Sequence, residues 1–224
     1  MSEFISFFSK YLKTLKFIDI LSDDSYYKNI EVKSNELKDK YTKFVVVGLG
    51  GAFIAAKSII EILKPHQNKV QWIYYLEQDK IDSVLKSVDI NKTAFICISK
   101  SGETIETLSI IEYLKSKGVE NFISLSTFSD NTLLKTTKFK DNIEHLDIES
   151  GRYSFTTNVC FLILRLCSIN IKKFRKGLQE SIKNLSSEID HESELRNLDL
   201  NIIKNFVYFP YDSKFESFNI WICQ

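Results

Sequence analysis

Ser99, Ser101 and Thr104 lie within one turn of chain, with Lys100 among them and a single glycine, Gly102. Hydroxyls donate and accept hydrogen bonds, and an ammonium adds a cation with three donors. Such a cluster suits an anion, and a phosphate monoester fits it better than any other common ligand. The residues before it, Thr93-Ala94-Phe95-Ile96-Cys97-Ile98, are a short apolar, β-branched run. That pattern reads as a strand buried on both faces, as in a parallel sheet. After the turn, Ile105, Leu108, Ile111 and either Ile110 or Leu114 recur at helical spacing. The hydroxyls therefore stand where a strand ends and a helix begins. There the first N–H groups have no partner and the helix dipole favours negative charge. Ser and Thr also cap helices routinely. Three hydroxyls and a lysine at the carboxyl end of a buried strand set phosphate level with capping alone, given where such sheets place their ligands.

A second strand-turn-helix unit precedes it. Phe44-Val45-Val46-Val47 leads into Gly48-Leu49-Gly50-Gly51-Ala52, followed by Ile54, Ala55, Ser58, Ile59 and Ile62, with Pro65 beyond. Glycines let backbone approach a ligand closely. The unit overlaps the dinucleotide fingerprint, but Phe53 holds the third glycine position, and the nearest acid after the next strand, Glu77, comes late. A third junction is Ser150-Gly151-Arg152-Tyr153-Ser154, before an apolar helix expected from Phe155 to Cys167. Arg152 there could be a surface residue, a cap partner, or a guanidinium aimed at the same cleft as the hydroxyls.

Strands at Val70–Leu76, Phe122–Ser126 and Ile143–Leu146 complete the pattern. Helices are expected over about 80–87 and 105–117, the latter closed by Gly118, and over 131–136 with Asp130 as N-cap. Alternating strands and helices joined by short connections predict an α/β fold: a three-layer, doubly wound parallel sheet of about five strands, flavodoxin-like in arrangement. Residues 1 to about 20 set Phe4, Phe7, Phe8 and Leu12 against Lys10, Lys13 and Lys16. This reads as an amphipathic helix, laid on the core in preference to a membrane surface. Residues 22–42 are polar and carry no usable motif. Residues 173–204 read as two helices around a break at Ser186-Ser187-Glu188. Phe206–Phe209 reads as a strand, and a helix begins at Phe215. Beyond a finished sheet that last segment has nothing to bury against. The expected organisation is a helical extension over 1–42, a sheet domain over 43–172, and over 173–224 a linker and the start of an incomplete second lobe.

The 224 residues carry a net charge of +1, from 30 basic and 29 acidic side chains, which argues against nucleic acid or membrane partners drawn by bulk charge. The longest apolar run, Val159 to Leu164, stops at Arg165, far short of a membrane span. Met1-Ser2-Glu3 lacks the basic start of a signal peptide. The cysteines Cys97, Cys160, Cys167 and Cys223 sit among apolar residues without Cys-x-x-Cys spacing. That predicts reduced core thiols in a cytoplasmic protein. His66, His145 and His191 are scattered, so no metal site is assigned.

These motifs together resemble the glucose-6-phosphate isomerase family and the wider class of sugar isomerase (SIS) domains. Val47-Gly48-Leu49-Gly50-Gly51 resembles the family's V-G-I-G-G-S turn. Ser99 to Thr107 resembles S-K-S-G-x-T-x-E-T, and Gly151-Arg152-Tyr153-Ser154 resembles G-G-R-[FY]-S. Pro210-Tyr211-Asp212, then Phe218, Trp221 and Gln224, resembles the run leading to W-x-x-Q-x-x-x-E-S. The resemblance implies that Ser99, Ser101 and Thr104 hold the substrate phosphate, with Lys100 in the same loop. It places Gly50 and Gly51 on the sugar side, Gly151 among the substrate-binding residues, Arg152 at the enediol-like intermediate, and Gln224 on the sugar or phosphate. It implies aldose–ketose isomerisation of glucose 6-phosphate and fructose 6-phosphate, no metal or organic cofactor, and a homodimer.

Three positions depart from the family pattern. Ala52 replaces a serine, and Ser150 replaces a glycine. The family's general base, a glutamate four residues beyond Gln224, matches no residue here. The expectation is therefore a fragment that keeps the phosphate-binding lobe and is inactive alone. A non-catalytic phosphosugar-binding module is the alternative, and a nicotinamide-binding domain resting on the glycine turn is a third.

Overall fold

The computed structural model describes residues 15–63, 65, 69–127, 130–148, 151–191 and 212–222. The expected elements over residues 1–14 and Phe206–Phe209, and the site position Gln224, lie outside them. Five strands, β1 (Lys43–Val47), β2 (Val70–Ile73), β3 (Thr93–Ile98), β4 (Phe122–Ser126) and β5 (Asp141–Glu144), form one sheet in the order β2-β1-β3-β4-β5. Every pairing is parallel; Val45, for example, lies opposite Phe95 and Gln71, and Ile96 opposite Ile123. Strand order reverses between β1 and β3, where sheets of this kind bind ligands at the carboxyl ends of their strands.

The helices are α1 (Lys16–Asp19), α2 (Asp24–Lys40), α3 (Gly51–Leu63), α4 (Gln78–Lys86), α5 (Ile105–Ser116), α6 (Thr132–Thr136), α7 (Asn158–Leu166), α8 (Ile171–His191) and α9 (Glu216–Ile222). Alternation along the strands sorts the core into two layers. Phe44, Val46, Ala94, Ile96, Ile123 and Leu125 pack with residues of α2, α3 and α7. Val45, Val47, Phe95, Cys97 and Phe122 pack with α4 and α5 through Ile81, Ile110, Ile111 and Leu114. All of β3 is buried, as its unbroken apolar run requires. Gly118 has φ +82° and closes α5, with its N–H on Lys115 O and the Val119 N–H on Leu114 O. Cys97, Cys160 and Cys167 are buried, and burial pushes the Cys97 and Cys160 thiols up.

Several local expectations are corrected. Residues 22–42, expected within a helical extension but without a usable motif, hold the 17-residue helix α2. Its Tyr27, Ile30, Ser34 and Leu37 form a buried stripe at helical spacing, and the Asp23 side chain accepts from the Tyr26 N–H at 2.9 Å. Helix α8 runs unbroken through 186–188. Serine costs only about 0.5 kcal/mol relative to alanine in a helix, and neither Gly nor Pro stands there to interrupt it. The N-cap of α6 is Asn131, not Asp130, because the Asn131 side chain accepts from the Leu134 N–H. Helix α9 does find a partner. It packs on α3, with the Lys57 ammonium 2.5 Å from Ser217 Oγ and the Trp221 ring 5.5 Å from Phe155.

Leu37 is 1% exposed in the face that α2 turns to the sheet. Leu37→Ala is expected to lower stability by roughly 2–5 kcal/mol in urea unfolding, the range for a buried leucine. A change within about 0.5 kcal/mol, the surface value, would show that α2 is not part of the folded core.

Candidate functional site

Three connections meet at the carboxyl ends of the strands. The turn after β1 is pressed against the end of β3: a Cβ on Gly48 would lie 3.1 Å from Ile98 O. Gly50, with φ +77°, and Gly51 then open α3. Gly151 and Arg152 begin the 3-10 turn Gly151–Thr156, which packs on that same α3. The turn after β3 lies at the neighbouring strand end.

The β3–α5 turn is organised by hydroxyls. Ser99 is 5% exposed; its Oγ accepts from the Gly102 N–H at 3.1 Å and lies 3.0 Å from Thr104 Oγ1. Exposed Ser101 accepts from the Glu103 N–H at 3.2 Å. Thr104 is the N-cap of α5, yet its side chain makes no capping bond. The first-turn N–H groups of Ile105, Glu106 and Thr107 are thus left unserved by the cap. Thr107, buried to 1%, has a hydroxyl without a partner. Together with the dipole of a 12-residue helix, these donors favour an anion at the mouth of the turn.

The turn's shape depends on Gly102. Its φ is +71°, and an added Cβ would fall 2.2 Å from Asn131 Cγ and Oδ1. Asn131 is itself fixed, donating to Ser126 Oγ and Thr127 O, both at 3.1 Å. Glu103 ties the turn to α6, accepting from Thr132 Oγ1 at 2.6 Å and the Thr132 N–H at 2.7 Å. The Thr132 hydroxyl, then its N–H, hold the Glu103 carboxyl below the usual carboxylate range. These supporting residues were not read from the sequence. Gly102 stood in the motif, but its neighbour Asn131 lies 29 residues away in the chain and carried no local signal.

The Lys100 ammonium turns to the β5–α7 connection. It lies 2.7 Å from Asp147 Oδ1 and donates to Ile148 O at 2.6 Å. His145, 1% exposed, stands at the start of that connection with Nδ1 2.8 Å from Leu146 O. A carbonyl only accepts, so Nδ1 carries the proton and Nε2, which has no partner, is the bare nitrogen. Burial first, and Lys100 next among the lowering influences, keep the imidazole below its ordinary pKa.

The Gly151–Thr156 turn is held from several sides. Tyr153 stacks on Phe17 with centroids 4.6 Å apart, and Phe155 meets Trp221. From α2, Tyr27 donates to Thr156 O at 2.6 Å, and the Tyr26 hydroxyl accepts from the Asn158 N–H at 2.6 Å. Trp221 of α9 thus lies against the turn that carries Arg152. The dinucleotide reading finds no support in the geometry. Phe53 is buried against Trp72 and Tyr74, and the exposed Glu77 carboxylate pairs with Lys80.

The fold is of the doubly wound, sugar isomerase type. Residues 29–197 match the family model described as phosphoglucose isomerase, and the chain belongs to that family. It is 28% identical to a probable glucose-6-phosphate isomerase of Methanococcus maripaludis, over 93% of this chain and 51% of the relative. It is 30% identical to a glucose-6-phosphate isomerase of Methanocaldococcus jannaschii, over 75% of this chain and 46% of the relative. The chain thus spans about half the length of these curated relatives. Among solved structures, a hypothetical protein from Thermus thermophilus shares the fold with a TM-score of 0.66 and 18% identity, over 82% of this chain and 48% of that one. A glucose-6-phosphate isomerase from Chlamydia trachomatis does so with 0.63 and 18%, over 72% and 34%. No helix among the described residues is long and apolar enough to cross a membrane.

Gly102→Ala should unfold the turn locally and cost more than the roughly 1–2 kcal/mol of left-handed backbone alone, because the new methyl also meets Asn131. Urea unfolding with a cost under about 0.5 kcal/mol would refute the clash. The Glu103 carboxyl is held below its unfolded pKa. Its stabilising effect is therefore present above the unfolded pKa and lost as pH falls through the folded one. Side-chain NMR titration should place its midpoint below that of Glu103 in a Thr132→Ala variant, in which the hydroxyl contact is gone. Equal midpoints would contradict the contact.

Proposed function

We propose that these residues form the phosphate-binding lobe of a cytoplasmic glucose-6-phosphate isomerase that interconverts glucose 6-phosphate and fructose 6-phosphate. The observation that carries the reading is the turn after β3, where Ser99 and Thr104 face one another above a helix start whose N–H groups the cap leaves unserved. The phosphate sits on Ser99, Ser101, Thr104, the backbone around Lys100 and the first N–H groups of α5. Gly50 and Gly51 give the sugar a wall without side chains. Gly151 and Arg152 lie on the adjoining connection. A guanidinium there stabilises the oxygen that gains charge when a proton moves between C1 and C2. Gln224 lies outside the described residues, and its contact with the sugar or phosphate is taken from the family resemblance alone. The family's general base matches none of these 224 residues, so proton abstraction is assigned to none of them.

Isothermal titration of the 224-residue chain with glucose 6-phosphate is expected to show binding without turnover. Ser99→Ala and Thr104→Ala should each weaken it about tenfold or more, the scale of a lost hydrogen bond to a charged group. Equal affinity in both variants would remove the turn from the phosphate site. Turnover by the chain alone would show that a residue among the 224 serves as the base.

A further inference from the structure

Lys100 is the cation of the hydroxyl turn, yet its side chain leads away from the start of α5. β4 lies between β3 and β5 in the sheet, so the ends of β3 and β5 are about 10 Å apart at ordinary strand spacing. Lys100 spans that gap. Its backbone carbonyl accepts from the Thr127 N–H at 3.2 Å and from Thr127 Oγ1 at 2.9 Å, which fixes the residue over the end of β4. Its ammonium then reaches past β4 to Ile148 O at 2.6 Å and Asp147 Oδ1 at 2.7 Å. Ile148 is 2% exposed and so is anchored in the core, whereas the Asp147 side chain is 73% exposed. The carbonyl bond is therefore the firm end of the contact, and the ion pair, open to solvent, adds less.

We propose that Lys100 is a positioning residue: its side chain is a strut that sets the distance between the phosphate turn and the connection carrying Gly151 and Arg152, and Asp147 with the Ile148 carbonyl is its seat. This deepens the sugar-phosphate reading and rests on it. Phosphate is held by hydroxyls and N–H groups of one turn. The sugar must also meet the second turn, and the strut fixes the spacing between the two. Two of the three ammonium donors are committed to that seat. With Asp147 beside it, the lysine brings little unbalanced charge to the anion.

The strut and a direct phosphate contact predict different results when the 224-residue chain is titrated with two ligands, inorganic phosphate and glucose 6-phosphate. Inorganic phosphate needs only the hydroxyl turn, whereas the sugar ester needs both turns in register. For Lys100→Met, affinity for glucose 6-phosphate should fall at least about threefold more than affinity for inorganic phosphate, since misplacing a group by a small distance costs binding geometry rather than charge. Lys100→Arg, which can still reach a carbonyl and a carboxylate, should recover most of that selective loss. In Asp147→Asn, a substitution at an exposed position, inorganic phosphate should bind no more tightly than in the parent. Equal losses for both ligands in Lys100→Met, or tighter phosphate binding once Asp147 no longer holds the ammonium, would make Lys100 a ligand and overturn the strut. Should the parent chain bind neither ligand, the sugar-phosphate reading fails by itself. The strut is then decided by amide exchange. Faster exchange over 151–157 in Lys100→Met, with β4 unchanged, supports it, and unchanged exchange over 151–157 overturns it.

Discussion

The first turn of α5 sets the terms for the rest of the molecule. A helix that starts at the end of a buried central strand leaves N–H donors pointing out of the sheet, and water or an anion must take them up. Here the N-cap residue, Thr104, spends its hydroxyl on Ser99 instead of on the helix. The donors stay available because the turn is closed by its own hydroxyls. Gly102 makes that closure possible at a backbone conformation ordinary residues avoid, in a space Asn131 fills to the last methyl. Glu103 and Asn131 then tie the turn to α6 and β4, so the donors stand on a rigid support.

The second half of the site is held differently. The Gly151–Thr156 turn is a 3-10 helix that is also fastened by packing from elsewhere. Phe17 stacks on it, Tyr26 and Tyr27 fasten its end, and Trp221 closes over Phe155. Residues from both ends of the described chain thus converge on the arginine-bearing turn. That convergence gives α2, already part of the core, and α9, which packs on α3, a shared role at this turn. The division of labour is physical: one turn is shaped by polar bonds, the other is set by aromatic contacts beside it.

The sheet was legible because its signals are local. Runs such as Phe44–Val47 and Thr93–Ile98 are apolar throughout, as strands covered on both faces must be, and each is followed by a glycine or hydroxyl turn and a helical repeat. The hydroxyl cluster was legible for the same reason. Helix α2 is legible only as part of a helical extension, without its bounds, because its buried stripe is thin: Tyr27, Ile30, Ser34 and Leu37 stand among charged residues, and composition hides the spacing. Asp23, three residues before Tyr26, was the available signal. The roles of Asn131, Asp147 and Ile148 were beyond reach, since each meets the turn only after parallel strands have brought distant segments together. Lys100 shows the limit most clearly. Its place in the motif suggested a cation for the phosphate, but the direction of its side chain is set by groups 47 and 48 residues away.

The central claim is that the start of α5 receives an anion. An amide-resolved NMR titration of the chain with inorganic phosphate addresses it directly. The account predicts that the Ile105, Glu106 and Thr107 amides shift first and most, saturably, with the Ser101–Thr104 turn following. Shifts spread over surface lysines with those three amides unmoved would contradict it.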